Sequence, residues 1–194
     1  MQLIFATNNK NKVEEIKKAV PGLDVVTMSE AGIDADIPEP FDTLEENAFA
    51  KSIFIYKKTG KPCFSEDTGL EVYALNGEPG VRSARYAGEP ADADKNTELL
   101  LKKLEPHSDR KARFRTVISL IYKNVEYQFE GICEGMLTEE KKGEKGFGYD
   151  PVFIPDGSEH TFAEMTMDEK NVFSHRKKAA QKLTEFLKKI HGEG

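Results

Sequence analysis

Basic side chains stand at the predicted start of two helices, where acidic side chains are usual. Thr7-Asn8-Asn9 precedes a helical pattern that begins with Lys10-Asn11-Lys12, and His175 and Arg176 open the last helical pattern of the chain. A cation is unfavourable beside the partial positive charge of a helix N-terminus unless an anion lies there. With an anion present, the backbone N–H groups, the helix dipole and the lysine all attract it. The first pattern therefore predicts a phosphate-binding loop, whereas the second also fits a solvated basic patch.

A carboxylate at the predicted end of a strand is the second chemical signal. The run CFSE, residues 63–66, predicts a strand that breaks at Asp67-Thr68-Gly69, and open α/β sheets bind ligands at the carboxyl ends of their strands. A carboxylate at such an end can bind Mg²⁺ or accept a proton from water. Asp67 is therefore a candidate metal ligand and general base; the alternative is an aspartate that only closes a turn.

Two glutamates compete for the place of a second metal carboxylate. Glu39 lies in the irregular, acidic stretch IPEP, where the flanking prolines restrict its direction. Glu46 ends the sequence Thr43-Leu44-Glu45-Glu46, the pattern of a capping box in which the glutamate reaches back to the helix start. We therefore favour Glu39 as the second metal carboxylate. The sequence alone does not decide between Glu39 and Glu46.

A glycine-rich loop, GFGYDP at residues 146–151, is the third signal. It lacks the third glycine of a dinucleotide-binding fingerprint, because position 151 is proline, and the chain has no GxxxxGK[ST] phosphate loop. Phe147 is a candidate platform on which a base could stack, a contact worth about 1–3 kcal/mol. The alternatives are that Phe147 anchors the loop in the core and that Asp150 is only a turn residue.

The elements that must position these residues describe a mixed α/β protein. A strand–helix–strand unit opens the chain, and a long hairpin turns at Lys123-Asn124. Helices are predicted where apolar residues recur with a helical period between capping and stop signals. The predicted strands span residues 2–7, 23–28, 63–66, 70–75, 112–122 and 125–136; the predicted helices span residues 8–20, 43–59, 93–104 and a segment from residue 174. The Gly-, Pro- and Ala-rich stretch between residues 77 and 94 is expected to be a functional loop.

Composition restricts the class of protein. The 194 residues include 28 Lys and Arg against 34 Asp and Glu, a net charge of −6, with 38% hydrophobic and 32% charged residues. This balance argues against binding nucleic acid along a broad surface, which needs a basic stripe, while a local basic cluster or a divalent cation can still hold a small anion. No apolar run approaches the roughly 20 residues of a membrane-spanning helix. The two cysteines lack metal-type spacing, which favours reduced thiols and a cytoplasmic protein.

Four segments in the same order resemble the Ham1 family, the inosine/xanthosine triphosphate pyrophosphatases, over nearly the whole chain. FATNNKNK at 5–12 resembles the family's Ser/Thr-x-Asn-x-x-Lys phosphate loop, and residues 64–88 resemble its acidic centre and the loop beyond. GFGYDPVFIP at 146–155 and SHRKKA at 174–179 resemble its base-binding segments. The sequence departs from the family pattern at three places: Glu66-Asp67-Thr68 replaces Asp-Asp-Ser, Asn8 stands where glycine is frequent, and Val81 where an aromatic is common.

The resemblance implies a Mg²⁺-dependent enzyme that hydrolyses the nucleoside triphosphates ITP, dITP and XTP to the monophosphate and pyrophosphate, which cleanses the nucleotide pool. It implies a single Ham1-like domain over residues 1–194, an elongated mixed-sheet, ITPase-like fold with two lobes and a central cleft, and a cytoplasmic homodimer. Asp67 would be the general base, and Asp67 and Glu39 the metal ligands. The implied substrate contacts are Thr7, Asn8, Asn9, Lys10, Asn11 and Lys12 at the triphosphate, Thr68 beside the acidic centre, and Phe147, Gly148, Tyr149, Asp150, Lys170, His175 and Arg176 around the nucleoside.

Selectivity for purines with a 6-oxo group would come from hydrogen-bond donors of Arg176, His175 or loop N–H groups. The 6-amino group of adenine would leave these donors unpaired, and a buried polar mismatch is rejected by up to ~10⁴-fold. The sequence does not identify how guanine is rejected. The rival hypotheses are a pyrophosphatase for pyrimidine or damaged nucleotides, a non-catalytic nucleotide sensor, and a structural α/β protein with basic patches.

Overall fold

A computed structural model describes residues 1–192 of the chain. Its strands are β1 Gln2–Phe5, β2 Asp24–Thr27, β3 Cys63–Val72, β4 Pro79–Gly80, β5 Lys111–Tyr122, β6 Val125–Leu137 and β7 Phe153–Pro155, and its α-helices are α1 Lys10–Ala19, α2 Leu44–Thr59, α3 Ala93–Leu104, α4 Met167–Phe173 and α5 His175–Ile190. The strands form one sheet in the order β2-β1-β3-β5-β6-β7, and β4 pairs with β3. Parallel pairs join β1 to β2 and β3, and antiparallel pairs join β3 to β4 and β6 to β7. The predicted mixed α/β class is confirmed.

The chain divides into two compact units. Unit 1 comprises residues 1–67, 116–131 and 175 onwards, and unit 2 comprises residues 68–115 and 132–174. Within residues 1–192, no helix combines the length and the hydropathy that crossing a membrane requires. Both cysteines of the chain, Cys63 in unit 1 and Cys133 in unit 2, are buried thiols.

Unit 1 has apolar clusters on both faces of β1. Leu3 and Phe5 pack in one cluster with residues of α1 and α5, whereas Ile4 packs in another with Ile55 of α2. This alternation follows from the two-residue period of a strand, which points successive side chains to opposite faces. Leu3, Ile4 and Phe5 are therefore all apolar and buried because both faces of the strand are covered, whereas Gln2 at its start is exposed.

Unit 2 has its apolar cluster on one face of its strands. Leu70 of β3 packs there with Leu100 of α3 and with three phenylalanines, Phe114, Phe153 and Phe162. The rings of Phe114 and Phe153 meet edge to face with centroids 4.6 Å apart, an arrangement that aromatic pairs prefer.

Helix ends and the hairpin follow the sequence signals closely. Thr43 caps α2 by accepting the N–H of Glu46, and Gly60 ends the helix in the left-handed conformation, with φ of +66°. The hairpin between β5 and β6 turns at Lys123 and Asn124, whose φ angles are +51° and +64°. These predictions are confirmed because capping and turn residues act within a few positions of one another.

The predicted break at Asp67-Thr68-Gly69 is wrong. β3 continues without interruption from Cys63 to Val72, so Asp67 lies within a strand and not at its end. The glycine at position 69 is explained by packing and not by a turn. A Cβ at this position would lie 2.6 Å from the carbonyl oxygen of Gly80 in β4. Glycine is therefore required by the close approach of a neighbouring strand, which local sequence does not reveal.

One helix was not predicted, and one loop is more ordered than its composition suggests. α4 begins after Thr166, whose hydroxyl and backbone exchange hydrogen bonds with Glu169 in a capping box; this signal is visible in the sequence. The stretch between residues 77 and 94 includes β4 and a short 3₁₀ turn at Ser83–Arg85. The Asn96 side chain fixes it through hydrogen bonds to Ala87 and Ala84 of 2.7 and 2.8 Å.

Candidate functional site

The predicted phosphate loop is the capped start of α1. Asn9 is the N-cap residue, and its Oδ1 accepts the backbone N–H groups of Asn11 and Lys12 at 3.0 and 3.2 Å. The hydroxyl of Thr7 accepts the N–H of Asn9 at 3.1 Å, and the amide of Asn8 donates to a backbone carbonyl in the loop after β2. Two of the first N–H groups of α1 are therefore satisfied by Asn9, so an anion here would depend mainly on the lysine side chains.

Lys12 belongs to a buried set of ion pairs in unit 1. Its Nζ lies 2.7 Å from Oε1 of Glu66, and Oε2 of Glu66 lies 3.4 Å from Nε of Arg176. Nη1 of Arg176 also contacts the carboxylate of Glu15. Burial lowers the pKa of Arg176, but the charges of Glu66 and Glu15 raise it more, so the net pKa lies above its ordinary value. These contacts tie α1, β3 and α5 together.

At each helix start, one cation thus faces carboxylates of the chain itself. Lys12 faces Glu66, and Arg176 faces Glu15 and Glu66. The charge pattern at the helix starts alone therefore does not require a bound anion. Of the other predicted residues here, Lys10 is the exposed first residue of α1 and His175 the buried first residue of α5.

Lys51, which lies outside all four sequence motifs, joins the two predicted metal carboxylates. Its Nζ contacts Oε1 of Glu39, lies 3.8 Å from Oδ1 of Asp67, and donates to the backbone carbonyl of Glu66 at 2.8 Å. Lys51 is only 7% exposed and Asp67 only 6%. Glu46, by contrast, is exposed and accepts a hydrogen bond from the Thr43 hydroxyl at 2.8 Å.

Small residues bring the middle of α2 close to the strands of unit 1. The carbonyl of Ala48 accepts the hydroxyl of Ser65, and Oγ of Ser52 lies 2.8 Å from Oγ of Ser119. Because Ala48 and Ser52 are one turn apart, this face of the helix has no large side chain to hold it away. Lys51 precedes Ser52 and is buried as well.

These side chains form what we term the ionic cluster. Its members, all in unit 1, are Lys12, Lys51, Arg176, Glu15, Glu39, Glu66 and Asp67. Three cations face four carboxylates, so the cluster carries one net negative charge when all members are ionised. Burial of such charges is tolerated only because each has an opposite charge beside it.

Asp67 is a member of the ionic cluster whose pKa lies close to neutral pH. Burial raises the pKa of its carboxyl from 3.8 to about 6; Lys51 and Lys12 oppose this rise, and Glu39 and Glu66 add to it. A carboxylate with this pKa is ionised at pH 7–8 and is a better proton acceptor than an exposed aspartate.

The donor set of Asp67 and Glu39 fits a hard divalent cation. Mg²⁺ commonly uses one or two carboxylates, with phosphate oxygens and water completing its coordination. The ammonium of Lys51 lies beside both carboxylates. Within residues 1–192, no set of three or more His, Cys, Asp and Glu side chains could hold a metal ion. The pair is therefore suited to a metal that arrives with a ligand of its own.

The predicted nucleoside residues of unit 2 are arranged around Asp150. Its Oδ2 accepts the N–H of Phe147 at 3.0 Å and the Nζ of Lys170 at 2.7 Å. The Nζ of Lys170 lies 5.2 Å from the ring centroids of both Phe147 and Phe162. A Cβ at Gly146, where φ is +74°, would lie 2.1 Å from Oδ2 of Asp150. Asp150 thus holds the loop, and Lys170 supports the half-buried ring of Phe147.

Three further predicted residues also lie in unit 2. Tyr149 is buried and its hydroxyl donates to the carbonyl of Ser83 at 2.6 Å. Gly148 has a φ of +60°, which favours glycine, and Thr68 is half-buried in β3. His175 and Arg176 belong to unit 1, so a nucleoside pocket that includes them together with Phe147 stays a prediction.

The residues that sequence reasoning missed are charged residues on apolar faces. Lys51 follows Leu44 and Ala48 along the buried stripe of α2, and Glu15 adjoins Ile16 on the buried side of α1. A charged residue at such a position indicates a buried partner. The signal could have selected both residues, although it could not have named their partners.

The fold and the ionic cluster define an α/β protein whose first unit contains a group of mutually paired charges. A sequence model of the Ham1 family matches residues 3–186. A dITP/XTP pyrophosphatase of Porphyromonas gingivalis is 52% identical over 189 residues, which cover 96% of this chain and 97% of that protein. One of Flavobacterium johnsoniae is 48% identical over 188 residues, covering 96% and 98%. The chain belongs to the Ham1 family.

Solved structures agree with this assignment. The Staphylococcus aureus Ham1 protein is similar with a TM-score of 0.88 and 40% identity, and the match covers 100% of both chains. A HAM1 protein from Coxiella burnetii has a TM-score of 0.89 and 35% identity, covering 97% of this chain and 99% of that one. The fold and the family resemblance predicted from four motifs are therefore confirmed.

Proposed function

We propose that this chain is a nucleoside-triphosphate pyrophosphatase that hydrolyses dITP, ITP and XTP to the nucleoside monophosphate and pyrophosphate. The names of its relatives support this class of reaction. The observation that carries the proposal is the buried carboxyl of Asp67 beside Lys51, with a pKa of about 6. This combination supplies a proton acceptor and a positive charge at one place.

Hydrolysis between the α- and β-phosphates needs a proton acceptor and charge neutralisation. A water oxygen attacks the α-phosphorus, the bond from this phosphorus to the bridging oxygen breaks, and pyrophosphate leaves. In our proposal Asp67 takes the proton of the attacking water. Lys12 and Lys51 neutralise charge on the phosphates, which matters because phosphoryl transfer depends mostly on positioning and electrostatics.

Mg²⁺ would be held by Asp67 and Glu39, and when bound it would supply charge neutralisation and orientation of the phosphate oxygens. The charge of the ionic cluster gives a reason to expect a metal. The cluster has one more carboxylate than cations, so it does not by itself favour a highly charged triphosphate. We therefore propose that nucleotide and metal are both required.

The predicted nucleoside residues are retained in this proposal. The ring of Phe147 is our candidate platform for the base, and its loop is fixed through Asp150 and Lys170. We retain His175 and Arg176 as candidate donors to the 6-oxo group, with Thr68 as a contact nearer the phosphates. Arg176 would exchange part of its present pairing with Glu15 and Glu66 for such a contact.

We also propose that two copies of the chain form a homodimer in the cytoplasm, as the family resemblance implies. The buried thiols of Cys63 and Cys133 fit a reducing compartment. A mass in solution of about twice the 21.8 kDa of one chain would support the dimer, and the mass of one chain would contradict it.

The proposal is tested with a substrate panel. The purified protein is incubated with Mg²⁺ and dITP, ITP, XTP, dGTP or dATP, and pyrophosphate and orthophosphate are assayed separately. We expect pyrophosphate alone, and a kcat/KM for the first three substrates roughly 100-fold or more above that for dATP. Orthophosphate as the direct product would contradict the reaction, and equal turnover of dITP and dATP would contradict the selectivity.

A further inference from the structure

The position of Lys51 bears on how a metal enters the site. Its Nζ contacts Glu39, lies 3.8 Å from Asp67 and donates to the carbonyl of Glu66 at 2.8 Å. The residue is 7% exposed, and its helix is fixed against the strands through Ala48 and Ser52. A positive charge is therefore already present between the two carboxylates that would hold Mg²⁺.

This charge opposes a metal ion that arrives alone. A divalent cation bound by Asp67 and Glu39 would lie within a few ångströms of the Lys51 ammonium, and like charges at such distances repel strongly where burial reduces screening. The carboxylates would also have to give up their contacts with Lys51. Both effects lower the affinity of the site for bare metal.

A triphosphate removes this obstacle. Its oxygens offer the ammonium of Lys51 new acceptors, so the lysine can turn to phosphate while the carboxylates turn to the metal. We propose that Lys51 is a built-in counter-ion, which keeps a divalent cation out of the Asp67–Glu39 pair until a triphosphate accompanies it. The inference rests on the proposed function, since it assigns these carboxylates to the metal of a triphosphate hydrolase.

The proposal is tested by metal binding without nucleotide. Mn²⁺ is titrated into wild type, Lys51→Met and Lys51→Gln, with free Mn²⁺ measured by electron paramagnetic resonance. We expect both variants to bind Mn²⁺ at least about tenfold more tightly than wild type. Lys57→Met is the matched control, because Lys57 lies on the same helix and is exposed; it should bind Mn²⁺ as wild type does.

A double variant locates the gained site. Adding Asp67→Asn to Lys51→Met should abolish the tighter binding. Circular dichroism and a cooperative melt establish that each variant is folded, and Lys51→Gln serves if Lys51→Met is not, because its amide can still donate to the Glu66 carbonyl. Folded Lys51 variants that bind Mn²⁺ no more tightly than wild type would overturn the proposal. A gain that survives Asp67→Asn would overturn it too.

The outcome is separable from that of the proposed function. Failure of the function shows as absence of pyrophosphate when wild type is incubated with dITP and Mg²⁺. Failure of the counter-ion role shows in metal titrations that contain no nucleotide. Wild type that produces pyrophosphate while the Lys51 variants gain no metal affinity would refute the counter-ion role alone.

Discussion

Asp67 illustrates how the surroundings of one carboxyl serve chemistry at a cost in stability. Its side chain is buried, and burial raises its pKa although two lysines oppose the rise. Ionising this group therefore costs more in the folded protein than in the unfolded chain. Buried groups with a perturbed pKa are common at sites where function requires a reactive side chain.

We expect Asp67→Asn to raise stability at neutral pH in the absence of metal and to abolish most turnover. Asp67 has a pKa near 4 in the unfolded chain and near 6 in the folded protein. Protonated Asp67 therefore contributes stability to wild type that is fully present below about pH 4 and is lost as the pH rises through 6. This difference in pKa corresponds to ~3 kcal/mol of the free energy of unfolding. Asparagine does not ionise, so the variant keeps this stability at high pH. Loss of a general base reduces kcat by about 10²–10⁴-fold.

Thermal melts in a chelator at pH 4.5 and pH 8 measure the first effect, and pyrophosphate release measures the second. The advantage of Asp67→Asn should be larger at pH 8. An advantage independent of pH, or near-normal turnover by the variant, would remove Asp67 from the assigned role.

The ion pairs of Arg176 lead to a prediction about the free energy of unfolding, which can be tested without substrate. Arg176→Met leaves the buried carboxylate of Glu15 without its guanidinium and weakens the pairing of Glu66. Removing one partner of a buried ion pair destabilises by about 3–5 kcal/mol. Urea unfolding measures this loss, and Glu15→Gln added to Arg176→Met should restore part of it. Additive losses in the double variant would show that the pair is not coupled.

At the scale of elements, the sequence predicted features that depend on residues close together in the chain. It did not predict features that depend on residues far apart in the chain. The end of α2 at Gly60 and the turn at Lys123-Asn124 are set by residues within a few positions. The continuation of β3 through Gly69 depends on Gly80 of a neighbouring strand. Likewise, Lys51 and Glu39 are 12 residues apart and Glu15 and Arg176 are 161 apart. The motifs selected the candidate residues, but the ionic cluster needed the fold.

Gly131 of β6 allows α5 to approach the sheet of unit 1. A Cβ at this position would lie 2.0 Å from the carbonyl oxygen of His175 and 2.6 Å from the backbone nitrogen of Ala179. We therefore expect Gly131→Ala to destabilise the protein by about 1–3 kcal/mol, as overpacking usually does. Gly22→Ala is the matched control, because a Cβ there meets nothing within 4 Å. Equal melting temperatures for the two variants would contradict this packing.

The loop at residues 146–151 depends on one carboxylate. Asp150→Ala removes the acceptor of the Phe147 N–H and of the Lys170 ammonium, whereas Asp150→Asn keeps an acceptor oxygen. The chain contains no tryptophan, so Phe147→Trp provides a single fluorescent reporter. In that background we expect Asp150→Ala to shift emission to the red and Asp150→Asn to shift it less. Identical spectra for all three proteins would show that Asp150 does not hold the loop.

For the whole molecule, charge and function have to be reconciled. The chain carries a net charge of −6 and is proposed to bind a polyanion. Long-range attraction cannot supply this binding, so it must come from lysines and a metal at short range. The buried cations of the ionic cluster already face carboxylates. Nucleotide affinity is therefore expected to depend on the metal more than on the net charge of the protein.

The position of bond cleavage tests this account most directly. Hydrolysis of dITP in ¹⁸O-enriched water with Mg²⁺, followed by ³¹P nuclear magnetic resonance, identifies both the products and the phosphorus that water attacks. We predict dIMP carrying one ¹⁸O and unlabelled pyrophosphate. Label in pyrophosphate, or dIDP and labelled orthophosphate as products, would contradict attack at the α-phosphorus.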